Sequence, residues 1–221
     1  APNTALLSAT ITDKNVLVTG AGGSIGSELC RQILSLKPKT LVLFDHSEFN
    51  LYQIDKELER HCAAIDCGVD IKAILGSVLN EALVRDVMAA FNIHTIYHGA
   101  AYKHVPLVKS NVTEGVKNNV LGTLSLVKCA IEHQVTSLVL ISTDKAVRPT
   151  NIMGCTKRIA EMMLQALSEK KELEFESLGK RTILLTRKTH LSMVRFGNVL
   201  GSSGSVVPFS EDKLKKTDQS L

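Results

Sequence analysis

A short apolar run that ends in a glycine turn constrains this 221-residue chain more than any other feature. Val16, Leu17 and Val18 suit a buried strand. Gly20, Gly23 and Gly26 follow at three-residue spacing, and Ser24 opens a helix whose apolar positions are Ile25, Leu29, Ile33 and Leu36. A strand, a tight turn and a helix N-terminus together make an anion site. Glycines let the backbone approach a pyrophosphate, and the helix amides and the positive dipole end face it. Gly20, Gly23, Ser24, Ile25 and Gly26 are therefore candidate cofactor contacts.

Strand and helix patterns alternate beyond the turn. Segments 40–44, 69–75, 95–98, 137–142 and 191–195 read as strands, and 49–61, 81–91, 113–133 and 151–170 as helices. This alternation predicts an α/β fold: a doubly wound parallel sheet with helices on both faces. Residues 1–13 read as a lead-in segment, 14–208 as one large domain, 169–190 as a charged excursion or short hairpin within it, and 209–221 as a divergent tail, polar from Glu211. Aromatic residues make up only 4% and Trp is absent, which predicts the aliphatic core usual for parallel sheets.

Asp45 closes the second strand about 20 residues past the glycines, where an acid bonds the adenosine ribose hydroxyls of a dinucleotide. No Arg or Lys follows until Lys56, so no local cation awaits a 2′-phosphate, and NAD is expected over NADP. A net charge of +4 suits a small anionic ligand, and no basic–aromatic patch points to nucleic acid. Cys30, Cys62, Cys67, Cys129 and Cys155 are odd in number and scattered, which predicts free thiols in a reducing compartment. Cys62 and Cys67 lack a second ligand pair, so no metal is expected. No apolar run reaches the roughly 20 residues of a membrane span, and no signal peptide is visible. The chain does not begin with Met, as expected of a piece of a longer parent.

Thr19-Gly-Ala-Gly-Gly-Ser-Ile-Gly26 resembles the cofactor turn of the extended short-chain dehydrogenase/reductase superfamily. The stretch from Ile141-Ser-Thr-Asp-Lys145 to Thr156-Lys-Arg-Ile-Ala-Glu161 resembles the signature of the polysaccharide-biosynthesis nucleotide-sugar 4,6-dehydratases. His98-Gly-Ala-Ala-Tyr-Lys-His-Val-Pro-Leu107 and the segment from Val194-Arg-Phe-Gly-Asn198 to Pro208 are similar to the same family. The chain is most similar to bacterial UDP-N-acetylglucosamine 4,6-dehydratases that carry Met in place of the usual triad Tyr.

That resemblance implies a Rossmann-fold NAD-binding domain over 14–208, truncated at its C-terminus so that most of the substrate lobe is missing. It also implies a lyase that oxidises C4 of the sugar of UDP-N-acetylglucosamine, eliminates water across C5 and C6, and returns the hydride to C6. The product is a 4-keto-6-deoxy sugar nucleotide for bacterial polysaccharide or glycan synthesis. Asp144 is then the acid toward the C6 oxygen and Lys145 the base toward C5, which asks burial to raise the pKa of the first and lower that of the second. Thr143 contacts the C4 hydroxyl, Lys157 holds the nicotinamide ribose, and Met153, one turn earlier on the helix, walls the site. Ser77, Val78, Ala100 and Ala101 are further cofactor contacts; Lys103, Asn198 and Ser205 are expected to meet the UDP-sugar. Asn119 is expected to have a structural role, bonding backbone. A homo-oligomer is expected, located in the cytoplasm or on the cytoplasmic face of the inner membrane through an N-terminal region outside this chain. Two alternatives stand beside this: an NAD-binding fragment without turnover, and an NAD-dependent sugar-nucleotide epimerase. The Asp144-Lys145 pair argues for elimination, and the missing Tyr argues against simple redox at C4.

Overall fold

The computed structural model describes residues 4–176 and 182–197. Asn198, Ser205 and the tail from 209 lie outside the described residues. In chain order the elements are α1 (Thr4–Ile11), β1 (Asn15–Thr19), α2 (Ser24–Ser35), β2 (Thr40–Asp45), α3 (Glu48–Ile65), β3 (Asp70–Leu75), α4 (Glu81–Phe91) and β4 (Thr95–His98). Then follow α5 (Val105–Ser110), α6 (Val112–Val116), a π turn (Lys117–Leu121), α7 (Gly122–Glu132), β5 (Ser137–Thr143), a 3₁₀ turn (Asp144–Ala146) and α8 (Ile152–Glu169). The described part closes with β6 (Glu172–Glu176), β7 (Thr182–Thr186) and β8 (His190–Phe196).

Six strands form a parallel sheet in the order β3-β2-β1-β4-β5-β8. After β1 the chain winds outward through β2 and β3, then returns to β4 on the other side of β1. The crevice opens at this reversal, beyond the carboxyl ends of β1 and β4. Alternate strand residues feed two separate cores. Val16, Val18, Leu41 and Leu43 pack with Ile11 of α1, with Cys30, Ile33 and Leu34 of α2, and with Leu51, Ile54 and Leu58 of α3. Leu17, Val42 and Phe44 face the opposite way, onto Val84 and Met88 of α4, Leu126 and Val127 of α7, and Ala160 and Leu164 of α8. Each of the Val, Leu, Ile, Phe and Met side chains among these contributes about 1.5–3 kcal/mol when fully buried. Together they hold the strand ends rigidly enough to support a site.

Four expectations need correction or refinement. The lead-in is a helix docked on the sheet: Ile11 is buried, and the Thr95 hydroxyl donates to the Thr10 carbonyl at 2.7 Å. The single helix expected over 113–133 is divided by the π turn, where consecutive Asn118 and Asn119 are both buried. The wider turn accommodates two inward polar side chains that a regular helix would spread over 100°. The charged excursion contains an antiparallel pair, β6 with β7, running from Glu172 opposite Thr186 to Glu176 opposite Thr182. The expectation of five free thiols fails at Cys62 and Cys67, which are joined in a disulfide. Asp66, at φ 46°, ends α3 in the left-handed region and turns the chain back, so that the Cys67 amide donates to the Cys62 carbonyl at 3.0 Å. That local turn brings the two sulfurs together. Cys30 and Cys129 are free and buried, and Cys155 is free and exposed.

The glycine turn depends on one contact. Gly20 has φ +69°, and a Cβ on Gly26 would lie 1.9 Å from the Gly20 carbonyl oxygen. No side chain fits there, so α2 starts as close to β1 as backbone allows. Replacing Gly26 with Ala is expected to destabilise the chain by at least about 2 kcal/mol through overpacking against backbone. Urea unfolding monitored by circular dichroism reads this directly; an unchanged midpoint would remove the contact from the list of constraints.

Candidate active site

One pocket at the carboxyl edge is lined by Gly20, Asp45, His46, Ser77, Val78 and Ala100, among others. These come from four strand ends, and they include five of the sequence-predicted cofactor residues: Gly20, Asp45, Ser77, Val78 and Ala100. Asp45 is buried, accepting from the Gly22 amide on one oxygen and from the Ser47 amide on the other, both at 2.9 Å. A carboxylate has about four lone-pair directions, so each oxygen keeps capacity for a ribose hydroxyl. Gly23 is the N-cap of α2 and supplies no side-chain cap, so the first turn of α2, Ser24 to Gly26, has the character of an anion site at a helix N-terminus. The Lys103 ammonium donates to the Ser24 hydroxyl at 3.3 Å, which brings a cation to the same helix end. Burial lowers the Lys103 pKa from its ordinary value. The residues present therefore fit a dinucleotide; Ala101, also expected to contact the cofactor, follows Ala100 in the chain but is not among the residues that line this pocket.

The second half of the edge lies at the end of β5. Thr143 is the last strand residue, and Asp144 and Lys145 enter the 3₁₀ turn. The Thr143 hydroxyl donates to Asp144 Oδ1 at 3.0 Å, and the Lys145 ammonium lies 3.4 Å from the same oxygen. Asp144 is more than half exposed. The Thr143 hydrogen bond, joined by the Lys145 charge and bonds, holds its carboxyl below the usual carboxylate range. The expected upward shift is thus reversed, because the Thr143 hydrogen bond, with the Lys145 charge and bonds, outweighs the opposing effect of burial.

α8 docks tightly behind this turn. Asn151 caps it by accepting from the Gly154 amide at 2.9 Å, and a Cβ on Gly154 would sit 2.4 Å from the Lys145 carbonyl oxygen. Met153 and Lys157 are both buried on the inner face. The Lys157 ammonium donates to the Ile141 carbonyl at 3.0 Å, and burial pushes its pKa down to about 8, with Glu161 opposing that shift. Glu161 itself has no exposed surface. It accepts from the Ser142 hydroxyl at 2.7 Å and from Arg195 Nε and Nη2 at 2.8 and 2.7 Å. Arg195 chiefly, with Ser142 and Arg158 adding, holds the carboxyl at about 2.

A buried polar chain links the two halves. The Ala100 amide donates to Thr19 Oγ1 at 3.5 Å, and that oxygen lies 2.7 Å from His98 Nδ1. Thr123 gives its proton to the Asn119 carbonyl at 2.8 Å and hence accepts from His98 Nε2 at 2.9 Å. Every donor is used when His98 is neutral with its proton on Nε2. Burial, with Lys157 nearby, holds its pKa down at about 3. Asn119 extends the chain: it accepts from the Tyr102 amide at 2.8 Å and donates to the Tyr102 carbonyl at 3.0 Å and to Thr156 Oγ1 at 2.9 Å. This is the backbone-bracing role expected of it. The sequence reading passed over His98 as a site residue, and it singled out Glu161 only as part of a motif. The available signal was a charged or titratable residue on an otherwise apolar, buried face. Among the described residues, no group of three or more His, Cys, Asp or Glu is placed to hold a metal. No helix among them is long and apolar enough to cross a membrane.

The model of the polysaccharide biosynthesis protein family matches residues 16–220, a span that includes the segment after Pro208 where the motif resemblance stops. Capsular polysaccharide biosynthesis protein CapD of Staphylococcus aureus is 42% identical over 211 residues, covering 96% of this chain and 32% of its own length. A UDP-N-acetylglucosamine 4,6-dehydratase (inverting) of Campylobacter jejuni is 28% identical over 209 residues, covering 94% of this chain and 56% of its own. The X-ray structure of Pen from Bacillus thuringiensis superposes with a TM-score of 0.79 at 33% identity, over 93% of this chain and 58% of that one. The chain thus spans about a third of the staphylococcal relative and little more than half of the other two.

The Glu161 cluster has a measurable acid dependence. Its folded pKa of about 2 lies below the ordinary 4.5, so the unfolded chain takes up the proton first as pH falls. The stabilisation is complete above about pH 4.5 and is lost toward pH 2, with about 2 kcal/mol gone by pH 3. Urea unfolding between pH 6 and 3 is expected to show this slope in the wild type and a shallower one in Glu161→Gln. Equal slopes would mean the carboxylate is not held as described.

Proposed function

We propose, from the premise that the chain belongs to the polysaccharide biosynthesis protein family, that it carries the NAD-binding and elimination site of a nucleotide-sugar 4,6-dehydratase acting on UDP-N-acetylglucosamine. The observation that carries this reading is the sharing of one sheet edge by the glycine turn with Asp45 and by Thr143, Asp144 and Lys145 backed by Lys157. The adenosine ribose fits at Asp45, and the diphosphate fits at the first turn of α2. Lys103, expected from sequence to meet the sugar nucleotide, is better suited to that diphosphate because it reaches Ser24. Lys157, buried against β5, would hold the nicotinamide ribose.

Bound there, NAD would supply a reversible hydride acceptor for oxidation at C4 and reduction at C6. The protein's own residues move the protons. Asp144 is ionised at neutral pH and accepts the Thr143 hydroxyl. A C4 hydroxyl at Thr143 can therefore pass its proton through that hydroxyl to Asp144, which replaces the missing Tyr. Met153 has no proton to exchange and serves as wall. The resulting C4 ketone acidifies C5, and Lys145 is the base that removes that proton. Asp144, now protonated, gives its proton to the C6 oxygen, which leaves as water. Lys145 returns its proton to C5. One C4–H, one O–H proton and the C6 hydroxyl are consumed, and one water and one C6–H are formed, so the cofactor is unchanged overall.

The test is incubation of the chain with NAD and UDP-N-acetylglucosamine in D₂O, with mass spectrometry of the sugar nucleotide. A 4-keto-6-deoxy product carrying deuterium at C5 is expected. Lys145→Ala should lose the C5 label and at least 100-fold in turnover, with NAD affinity within about threefold. Persistent C5 exchange in that variant removes Lys145 from the base role. NAD binding without product in the wild type would favour the non-catalytic alternative, and a C4-epimerised sugar without ketone would favour the epimerase.

A further inference from the structure

The structure assigns a positioning role to Glu161: we infer that its buried carboxylate clamps the ends of β5 and β8 to α8 and so fixes the strand end that carries Thr143, Asp144 and Lys145. The inference rests on the proposed reading of that strand end as the elimination site. A carboxylate is an expensive choice at this position. Taking an ion out of water costs several kcal/mol unless partners replace the lost hydration. Position 161 continues the inward stripe of Met153, Lys157, Ala160 and Leu164, where an aliphatic residue would satisfy packing alone. Instead both oxygens are fully engaged. Oε1 accepts from Ser142 Oγ and Arg195 Nε; Oε2 accepts from Arg195 Nη2 and, at 3.1 Å, from Arg158 Nη1.

The partners lie where the chemistry needs registry. Ser142 immediately precedes Thr143, and Ile141, one residue earlier, is held through its carbonyl by Lys157. Two consecutive β5 residues are thus tied to two side chains one turn apart on α8. Arg195 forms a two-pronged pair with the same carboxylate from β8, one residue before the strand ends at Phe196. Gly197 then runs close by, its Cβ position lying 3.9 Å from Asp144 Oδ2. The strand end can therefore neither slide along α8 nor separate from β8 without breaking charge-assisted bonds.

The second consequence is electrostatic. Glu161 on its own helix is the ionisable group that acts on Lys157, and Lys157 in turn depresses His98 of β4; the other charged groups on the elements packed around α8 include Arg158 of α8, Arg195 of β8, Asp144 and Lys145 beyond β5, Lys109 of α5, Glu114 of α6, Lys117 of the π turn, and Lys128 and Glu132 of α7. His98 is neutral at physiological pH. Glu161 is the acid that opposes the effect of burial on Lys157, so it favours the cation that a ribose-holding ammonium requires.

Lysine-selective ¹³C NMR of the chain, without NAD or sugar, reads the Lys157 titration directly. A wild-type midpoint near 8 is expected. Glu161→Gln keeps the shape and removes the charge, and should lower that midpoint by about one unit. An unmoved midpoint in folded Glu161→Gln overturns the electrostatic role, and unchanged hydrogen exchange at the Thr143–Lys145 amides of that variant overturns the clamp. If that variant does not fold, Ser142→Ala carries the test, because it removes one bond and leaves the charge. Hydrogen exchange at the Thr143–Lys145 amides should then rise at least tenfold with the Lys157 midpoint unmoved, and unchanged exchange overturns the clamp. Neither readout uses turnover. A wild-type chain that binds NAD but makes no ketone therefore counts against the elimination reading alone.

Discussion

The approach of Gly26 to the Gly20 carbonyl is the constraint on which the site depends. It sets where α2 begins, and thereby where the first-turn amides of that helix meet the carboxyl edge of the sheet. Asp45 reaches across from β2 to the Gly22 amide, so the acid that suits a ribose also braces the turn. Function and local folding share the same atoms here. A side chain at the contact would displace the helix end, the acid and the pocket floor together.

The rest of the molecule fixes the distance between that turn and the end of β5. Aliphatic packing on both sheet faces supplies most of the rigidity, but it is not directional. The directional part is polar and buried. The chain from Thr19 through His98, Thr123 and Asn119 to Thr156 joins the glycine turn to the inner face of α8. The Glu161 cluster joins that helix to β5 and β8. Unsatisfied, each of these groups would cost about 1–3 kcal/mol; satisfied, they allow only one arrangement. Asp144 and Lys145 stand at the rim of this frame, exposed and ion-paired.

Much of this was legible in the sequence for a physical reason: short-range patterns carry it. The β-branched run before Gly20, the stripe Leu51, Ile54, Leu58, and Asp45 at a strand end depend on residues within a few turns of one another. The two-sided parallel sheet follows from their alternation. What was not legible depends on contacts across the fold. Lys103 meets Ser24 because β4 lies beside β1, 79 residues away in sequence. The carboxyl of Asp144 moves down because its surroundings are hydroxyl, ammonium and solvent, which a motif does not report. The π turn arises because Asn118 and Asn119 both find buried places, and the Cys62–Cys67 bond because Asp66 adopts a left-handed conformation. Position 161 was visible as an acid on an apolar face, yet its meaning required Arg195 from a strand 34 residues later.

The central claim is that the edge formed by the glycine turn, Asp45 and the strand ends is a dinucleotide site that prefers an unphosphorylated ribose. Isothermal titration of the chain with NAD and with NADP tests it most directly. Asp45 is buried and already shares its oxygens with two amides, so a 2′-phosphate there would meet a fixed negative charge with no local Arg. NAD should bind at least about tenfold more tightly, a difference of about 1.4 kcal/mol. Equal or tighter binding of NADP, or no binding of either, would contradict it.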